Sequence, residues 1–225
     1  EARYRLYPFT HTRPVADIRC GILTMRERWE RVLETPSATC TEAHLQELFP
    51  LPTGTDHLLV NASVFATREL ADAVMSLKPG SALRQGGVVL AARLGDMQEL
   101  SFDTLPGILS SLPATEWPGT VHRLEHVWDI FSKNDYAIRY DFDLLTAGRD
   151  AAPVPDHVTV SGGENLFIEA GAVLRPCIIN AETGPVYIGK DTEVMEGCLL
   201  RGPLALCDHA ALKMGAKVYG ATTLG

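Results

Sequence analysis

The stretch that decides the fold of the C-terminal part is Ile-Gly-Lys-Asp-Thr-Glu-Val-Met-Glu-Gly-Cys-Leu, residues 188–199. It belongs to a longer run in which a branched aliphatic residue occupies every sixth position. These residues are Ile188, Val194, Leu200, Leu206, Leu212, Val218 and Leu224. A helix repeats about every 3.6 residues and a hairpin meander has no reason to keep a period of six. The spacing therefore predicts a solenoid.

A second column of small or apolar residues lies two positions before the first. Its members are Val186, Thr192, Cys198, Leu204, Ala210, Ala216 and Thr222. Side chains two apart on a strand point to the same face, so each hexad should form a short strand with two inward side chains. Glycine or proline recurs between the strands, where the chain must turn. Three strands and three corners would complete one coil of a parallel β-helix.

The series continues upstream at Ile168 and Leu174. The interval from Leu174 to Ile188 is 14 residues, two more than two hexads, so residues 182–185 should bulge out as a loop. We expect the coil to begin near Asn165. Because the last coil stops in mid-pattern and the chain begins without methionine, we expect the natural protein to extend beyond both ends.

Composition excludes several classes of protein. The net charge of −8 argues against a binder of nucleic acid polymers, since such proteins neutralise phosphates. No apolar run approaches the length of a membrane span, so we expect no membrane association. The five cysteines form no Cys-x-x-Cys pair and no disulfide framework, which favours free thiols in the cytoplasm. They are Cys20, Cys40, Cys177, Cys198 and Cys207.

Positive charge is concentrated in the first 31 residues, where seven arginines accompany four acidic residues. A local cationic patch of this kind suits an anionic small molecule such as a nucleotide or a sugar phosphate. The alternative is that Arg26, Arg28 and Arg31 cover the outer face of a helix.

Residues 165–225 resemble the hexapeptide-repeat transferases. The resemblance implies a left-handed β-helix, a homotrimer, and acyl-coenzyme A (acetyl-CoA or another acyl-CoA) bound between neighbouring coils. The same likeness suggests a histidine as general base for acyl transfer. His209, beside Asp208 at a predicted coil corner, is the candidate, and the alternative is a solvated corner residue.

The front half has a mixed α/β pattern. Apolar spacing predicts a helix over residues 21–34, and Thr67 is a good N-cap for a helix over 68–77. Residues 58–60 and 86–92 are predicted strands. Strands that alternate with helices suggest a layered unit with a largely parallel sheet.

A helical linker is predicted next, followed by Pro153 and Pro155 at a boundary. The chain is therefore divided into an α/β domain over 1–122, a linker over 123–155 and the hexapeptide-repeat β-helix over 156–225.

The opening Arg-Leu-Tyr-Pro-Phe-Thr-His-Thr-Arg-Pro, residues 5–14, resembles the signature of sugar nucleotidyltransferases. On this match Arg5 takes the place of the arginine that holds the nucleotide triphosphate and acts in catalysis. Pro8 and Thr10 take places that shape the loop. Thr10, Arg13 and Arg19 complete the predicted phosphate-binding set, and the resemblance implies Mg²⁺ as cofactor. A cation is needed there because charge builds on the phosphates during transfer.

Joined to a hexapeptide coil, this front half resembles the family of the bifunctional UDP-N-acetylglucosamine pyrophosphorylase/glucosamine-1-phosphate acetyltransferase. A compact bacterial branch described as sugar nucleotidyltransferases is closer still. Its likeness rests on residues 12–29 and on Trp-Asp-Ile-Phe at 128–131.

The sequence departs from the family pattern at three points. The glycine-rich strand and loop expected before Arg5 are absent, and Val15 replaces a lysine. The strand that normally ends in a metal-binding aspartate ends in Asn61, whose neutral amide is a poorer Mg²⁺ ligand. Asp17 is either a metal ligand or the partner of Arg13 or Arg19 in an ion pair, and His11 is either a phosphate contact or a turn residue.

The sequence thus predicts an enzyme of nucleotide-sugar synthesis that acts on a nucleoside triphosphate and a sugar 1-phosphate. The coil would add acyl transfer. Two alternatives stand beside it: an acyltransferase whose front domain only binds a sugar nucleotide, and a non-enzymatic trimer that binds a ligand.

Overall fold

The computed structural model describes residues 2–51, 54, 56–96 and 100–225. The chain forms two compact units, and each is built from separate parts of the sequence. The first contains Glu1–Ile18 and Thr24–Val127. The second contains Arg19–Leu23 and Trp128–Gly225.

The first unit is an α/β structure, as predicted. Its helices are α1 (Ala2–Arg5), α2 (Met25–Leu33), α3 (Ala43–Gln46), α4 (Arg68–Met75) and α5 (Leu105–Ser111), with a 3₁₀ turn at Val15–Asp17. Its strands are β1 (Asp56–Val60), β2 (Ser81–Gln85), β3 (Val88–Asp96) and β4 (Ala114–Glu116), in the spatial order β1-β3-β2-β4.

The sheet is not largely parallel, so that prediction was wrong. Strand β3 pairs antiparallel with both β1 and β2, and only β4 runs parallel to its neighbour β2. The sheet differs from the prediction because Gly86 and Gly87, which the sequence pattern includes in a strand, form a turn instead. Both have positive φ (54° and 81°) and form the two-residue turn of a hairpin, with Gln85 paired to Val88. A connection this short joins only antiparallel strands.

Helix α2 begins later than the predicted residue 21. Gly21 has φ of +89°, which an α-helix does not accommodate. The helix starts after Thr24, whose hydroxyl accepts from the Glu27 amide (3.2 Å) while the Glu27 carboxylate accepts from the Thr24 amide (2.7 Å). This capping box satisfies two amides that a helix start leaves unpaired. Helix α4 begins where predicted, since Thr67 accepts from the Leu70 amide.

The second unit contains the predicted solenoid. Helices α6 (Asp129–Ser132) and α7 (Asn134–Thr146) come first, and a 3₁₀ turn covers Gly163–Asn165. The strands are β5 (Thr159–Ser161), β6 (Leu166–Ile168), β7 (Val173–Leu174), β8 (Ile178–Asn180), β9 (Val186–Ile188), β10 (Glu193–Val194), β11 (Leu199–Arg201), β12 (Leu204–Leu206), β13 (Ala211–Leu212), β14 (Lys217–Val218) and β15 (Thr222–Leu224).

These strands form three parallel sheets, one for each side of the coil. Their orders are β13-β10-β7, β14-β11-β8-β5 and β15-β12-β9-β6. Residues one coil apart pair directly, as Ile188 does with Leu206 and Leu206 with Leu224. Val194 and Leu206 are fully buried, and Val218 packs against the same core. The columns that the six-residue period predicts are therefore confirmed.

The first coil begins before Asn165, where the repeat pattern placed its start, but within the predicted β-helix domain of residues 156–225. Strand β5 pairs with β8 through Val160 and Ile179, so the first coil includes residues before Asn165. The hexad series missed this strand because one coil from Val160 to Ile179 is interrupted by a 3₁₀ turn. The loop predicted at 182–185 is confirmed, since β8 ends at Asn180 and β9 begins at Val186.

Helix α7 covers one outer face of the solenoid. Ile138, Phe142 and Leu145 pack with Phe167 and Tyr187 of strands β6 and β9. The segment 19–23 joins this cluster through its apolar side chains and is held by hydrogen bonds from its backbone. We call this segment the arm.

Two buried side chains of α7 fix the arm. The Asp141 carboxylate accepts from the amides of Ile22 (2.9 Å) and Leu23 (3.0 Å), and the Asn134 side-chain oxygen Oδ1 accepts from the Gly21 amide (2.7 Å). Each partner satisfies a backbone group that burial would otherwise leave unpaired.

Candidate functional site

The first unit contains a cavity of about 370 Å³, which we call the Arg3 cavity. Strands β1 and β3 line it through Leu59, Val60, Ala91 and Ala92, and helix α5 lines it through Leu105. Segments 14–16 and 39–41 and residues 61–63 complete most of its wall. A largely apolar cavity of this volume with a few polar groups is typical of small-molecule sites.

Arg3 is the sole charged residue among the described residues that line this cavity. It is 6% exposed, so its guanidinium is removed from bulk water. The Nε nitrogen forms an ion pair with the Glu42 carboxylate, and Nη1 donates to the Arg13 carbonyl oxygen (3.3 Å). The Nη2 nitrogen is buried without a hydrogen-bond partner among the described residues.

An unpaired buried donor of this kind costs free energy, about 1–3 kcal/mol and more when the group is charged. A ligand that supplies an acceptor recovers that cost. A ligand in the cavity would reach Nη2 only after a change of the Arg3 rotamer, and such changes are common at binding sites. A phosphate oxygen suits a planar guanidinium donor especially well.

The polar edge of the cavity is held rigidly. The Asn61 side-chain oxygen Oδ1 accepts from the Ser63 amide (3.0 Å) and hydroxyl (2.8 Å), and Nδ2 donates to the Val89 carbonyl oxygen (2.9 Å). On the opposite segment, the Gln46 side chain accepts from the Thr41 amide (2.9 Å) and donates to the Thr39 carbonyl oxygen (3.0 Å). Both edges are therefore preorganised.

The predicted phosphate-binding residues do not meet in this cavity. Arg5 is exposed because α1 turns Arg3 and Leu6 to the interior, and these two lie three residues apart on one face. Thr10 is buried, and its hydroxyl donates to the Arg3 carbonyl oxygen (2.7 Å). Arg13 is exposed and contributes its carbonyl oxygen to Arg3.

The other candidates lie elsewhere. Arg19 belongs to the arm and donates to the Ile22 carbonyl oxygen. His209 is exposed at a solenoid corner with φ of +61°, and its Nδ1 lies 3.9 Å from the Asp191 carboxylate. His11 is exposed and its ring stacks on Tyr7. Asp17 forms its ion pair with Arg26 (2.8 Å) rather than with Arg13 or Arg19.

Sequence reasoning missed Arg3 and the segment 39–41. The basic run at the N-terminus included Arg3, but the signature assigned its arginine to position 5. Only the burial of Leu6 distinguishes the two faces of α1. Segment 39–41 has no periodicity or motif that could have indicated a cavity wall.

The described lining of the Arg3 cavity supplies no carboxylate for the Mg²⁺ that the resemblance implies, and that cofactor stays a prediction. Asn61 already uses its amide oxygen and nitrogen locally. The described part of the chain also has no cluster of three or more histidine, cysteine, aspartate or glutamate residues suited to a metal ion.

Comparison with known proteins identifies the front of the chain. Residues 1–150 match the family model described as "Sugar nucleotidyl transferase". The match covers two thirds of the chain, and the protein belongs to this family. No curated protein matches it. Among the described residues, none of the helices has the length and apolar character needed to cross a bilayer.

Proposed function

We propose that the protein makes a nucleotide sugar. The phosphate oxygen of a sugar 1-phosphate attacks the α-phosphorus of a nucleoside triphosphate, and pyrophosphate leaves. The solenoid unit would add acyl transfer from an acyl-CoA. The family assignment and the joining of this front unit to a parallel β-helix support the proposal.

The proposal rests on Arg3. Its guanidinium is buried, the residue lines the cavity, and Nη2 has no hydrogen-bond partner among the described residues. Charge moves onto the leaving phosphates during transfer, and a preorganised cation stabilises that charge. Arg3 therefore replaces Arg5 as our phosphate-binding candidate. The Glu42 carboxylate and the Arg13 carbonyl oxygen would act as positioning groups for it.

The test is pyrophosphate release from UTP or dTTP with a panel of sugar 1-phosphates. We expect Arg3→Gln to lower kcat/KM by roughly 10²–10³-fold, as removal of one transition-state donor does. Arg3→Lys keeps the charge beside Glu42 but removes Nη2, so it should lose activity without unfolding. Arg31→Gln, at an exposed arginine of α2, is the matched control.

Arg5→Gln decides between the two assignments. A loss of activity in this variant with activity retained in Arg3→Gln would restore Arg5 as the phosphate ligand and overturn our choice. Absence of pyrophosphate release from every triphosphate and sugar 1-phosphate in the panel, with the wild-type protein folded, would refute nucleotidyl transfer.

A second candidate follows from the cavity's lack of a carboxylate among its described lining residues. The front unit would then bind a sugar nucleotide without turning it over, and acyl transfer would be the sole activity. Thiol release from acetyl-CoA with amino-sugar phosphates tests this candidate. Failure of both assays would favour a non-enzymatic ligand-binding protein. The homotrimer, the cytoplasmic location and His209 as base stay predictions.

A further inference from the structure

A second cavity of about 360 Å³ adjoins the Arg3 cavity in the first unit. The two have a common wall that includes Ala16, Cys40 and Ala62, so a molecule that fills one lies next to the other. We call the second one the Arg26 cavity. Helix α2 lines one side of it, and the segment 35–40 lines another.

Arg26 has the same unusual feature as Arg3. Its Nε donates to the Asp17 carboxylate (2.8 Å), and Nη1 lies 3.5 Å from the Ser37 carbonyl oxygen. The Nη2 nitrogen is buried and has no hydrogen-bond partner in the described part of the chain. Arg26 itself lines the cavity, so a change of its rotamer would let Nη2 donate to a ligand there.

The charge of the Arg26 cavity differs from that of its neighbour. Glu30, on the next turn of α2, lines it and accepts from the Ser37 amide and hydroxyl (both 2.8 Å). Asp56 also lines it and is paired with Arg93 outside the lining (2.5 Å). With Arg26 beside Asp17 and Glu30, the cavity offers donors and acceptors but no excess of positive charge. That balance disfavours a second phosphate.

We propose that the Arg26 cavity binds the uncharged, hydroxyl-rich part of the same ligand, a hexose ring whose phosphate lies at Arg3. This inference rests on the proposed function, because it assigns the sugar end of the substrate to a place. Arg26 would donate to ring hydroxyls and Glu30 would accept from them. A sugar hydroxyl both donates and accepts hydrogen bonds. It can therefore accept from the Arg26 guanidinium and donate to the Glu30 carboxylate.

The competing role for these side chains is structural. Arg26 and Glu30 both contact Ser37, and they could simply hold the segment 35–40. A structural role would change the binding of every ligand together. A role in sugar binding would change only the binding of ligands that have the ring, so a comparison of two probes separates the two.

The alkylation rate of Cys40 can report whether a ligand occupies the two cavities, because Cys40 lies in their common wall. It is half-buried, whereas the other four cysteines are buried. Burial raises the pKa of the Cys40 thiol, so alkylation is best followed at about pH 9, where more thiolate is present. Mass spectrometry of the full chain treated with iodoacetamide then gives the rate at Cys40, with glucose 1-phosphate or inorganic phosphate as the protecting probe.

We expect glucose 1-phosphate to half-protect Cys40 at roughly a tenth of the concentration that inorganic phosphate requires, the equivalent of one or two added hydrogen bonds. Arg26→Gln should remove this tenfold difference and leave protection by inorganic phosphate unchanged. Glu30→Gln should act in the same direction while its amide oxygen can still accept from Ser37. Arg31→Gln, on the same helix and exposed, should behave as wild type.

Two results would overturn the inference, and they differ from failure of the proposed function. One is equal protection by both probes in the wild type. The other is an equal loss of protection by both probes in Arg26→Gln and Glu30→Gln, which would assign these residues to the loop. If neither probe protects Cys40 and no pyrophosphate is released, the proposed function itself fails.

Discussion

The solenoid and the four-stranded sheet of the first unit both consist of short strands, yet different information specifies them. In the solenoid, Ile188 pairs with Leu206 and Leu206 with Leu224, so each position repeats the chemistry of the one before it. In the sheet, β3 pairs on both sides with strands that share no repeat. A repeated pattern allows the solenoid to be predicted from sequence. The residues that line a cavity follow no repeat, so sequence alone does not predict them.

The largest expected effect comes from neighbouring residues on opposite faces of one solenoid strand. Leu200 is 3% exposed inside the coil, whereas Leu199 is 41% exposed outside it. Leu200→Asp should cost about 4 kcal/mol or more, because it buries a carboxylate without a partner. Leu199→Asp should stay within about 0.5 kcal/mol. Thermal unfolding followed by circular dichroism measures both, and equal effects would contradict the inward columns.

A smaller loss of stability should come from a change at Gly21. This residue lies in the arm, which belongs to the solenoid unit but is not part of its repeat. A Cβ here would lie 2.4 Å from an Asp141 carboxylate oxygen, and φ is +89°. Gly21→Ala should therefore destabilise by about 2–3 kcal/mol.

The matched control is Gly86→Ala, whose φ is also positive but whose added Cβ meets nothing within 4 Å. Gly86→Ala should lower the free energy of unfolding by only about 1 kcal/mol, because the positive φ is its sole unfavourable effect. Urea unfolding measures the two variants. If Gly21→Ala proved no more harmful than Gly86→Ala, the close fit of the arm against Asp141 would be wrong.

The smallest effect concerns the pair of Asp56 and Arg93 across strands β1 and β3 (2.5 Å). The hydrogen bond from Arg93 lowers the pKa of Asp56, so the carboxylate stabilises the fold above its ordinary pKa near 4. That contribution disappears as the pH falls through the lowered pKa. Asp56→Asn should be slightly less stable than wild type at pH 7, and urea midpoints should show the difference shrinking as the pH falls through the lowered pKa of Asp56. A difference that persisted in acid would exclude the ion pair as its cause.

The sequence predicted the solenoid well because its period constrains every residue in the columns. It predicted less where a single backbone angle decides the outcome. The sequence pattern predicts Gly21 in a helix and Gly86 in a strand. Both have positive φ, and neither belongs to the predicted element. Strand β5 lies within the predicted β-helix domain but outside the six-residue series, because a 3₁₀ turn interrupts the coil after it.

The candidate site was predicted only in part. The cationic start of the chain indicated a phosphate ligand, but the choice between Arg3 and Arg5 depends on which face of α1 is buried. That face is set by the packing of Leu6 rather than by any motif. Arg26 was predicted either to belong to the cationic patch or to cover a helix surface, because its place beside a cavity depends on the segment 35–40.

The arm has a practical consequence for anyone who dissects this protein. No continuous piece of sequence contains the whole solenoid unit without residues of the first unit, since residues 19–23 precede its remainder by more than a hundred positions. A fragment that starts at Trp128 would leave the Asp141 carboxylate without the amides of Ile22 and Leu23. Such a fragment should bind a synthetic peptide of residues 17–25, so isolating the solenoid unit requires adding back this segment as well as cutting the chain before Trp128.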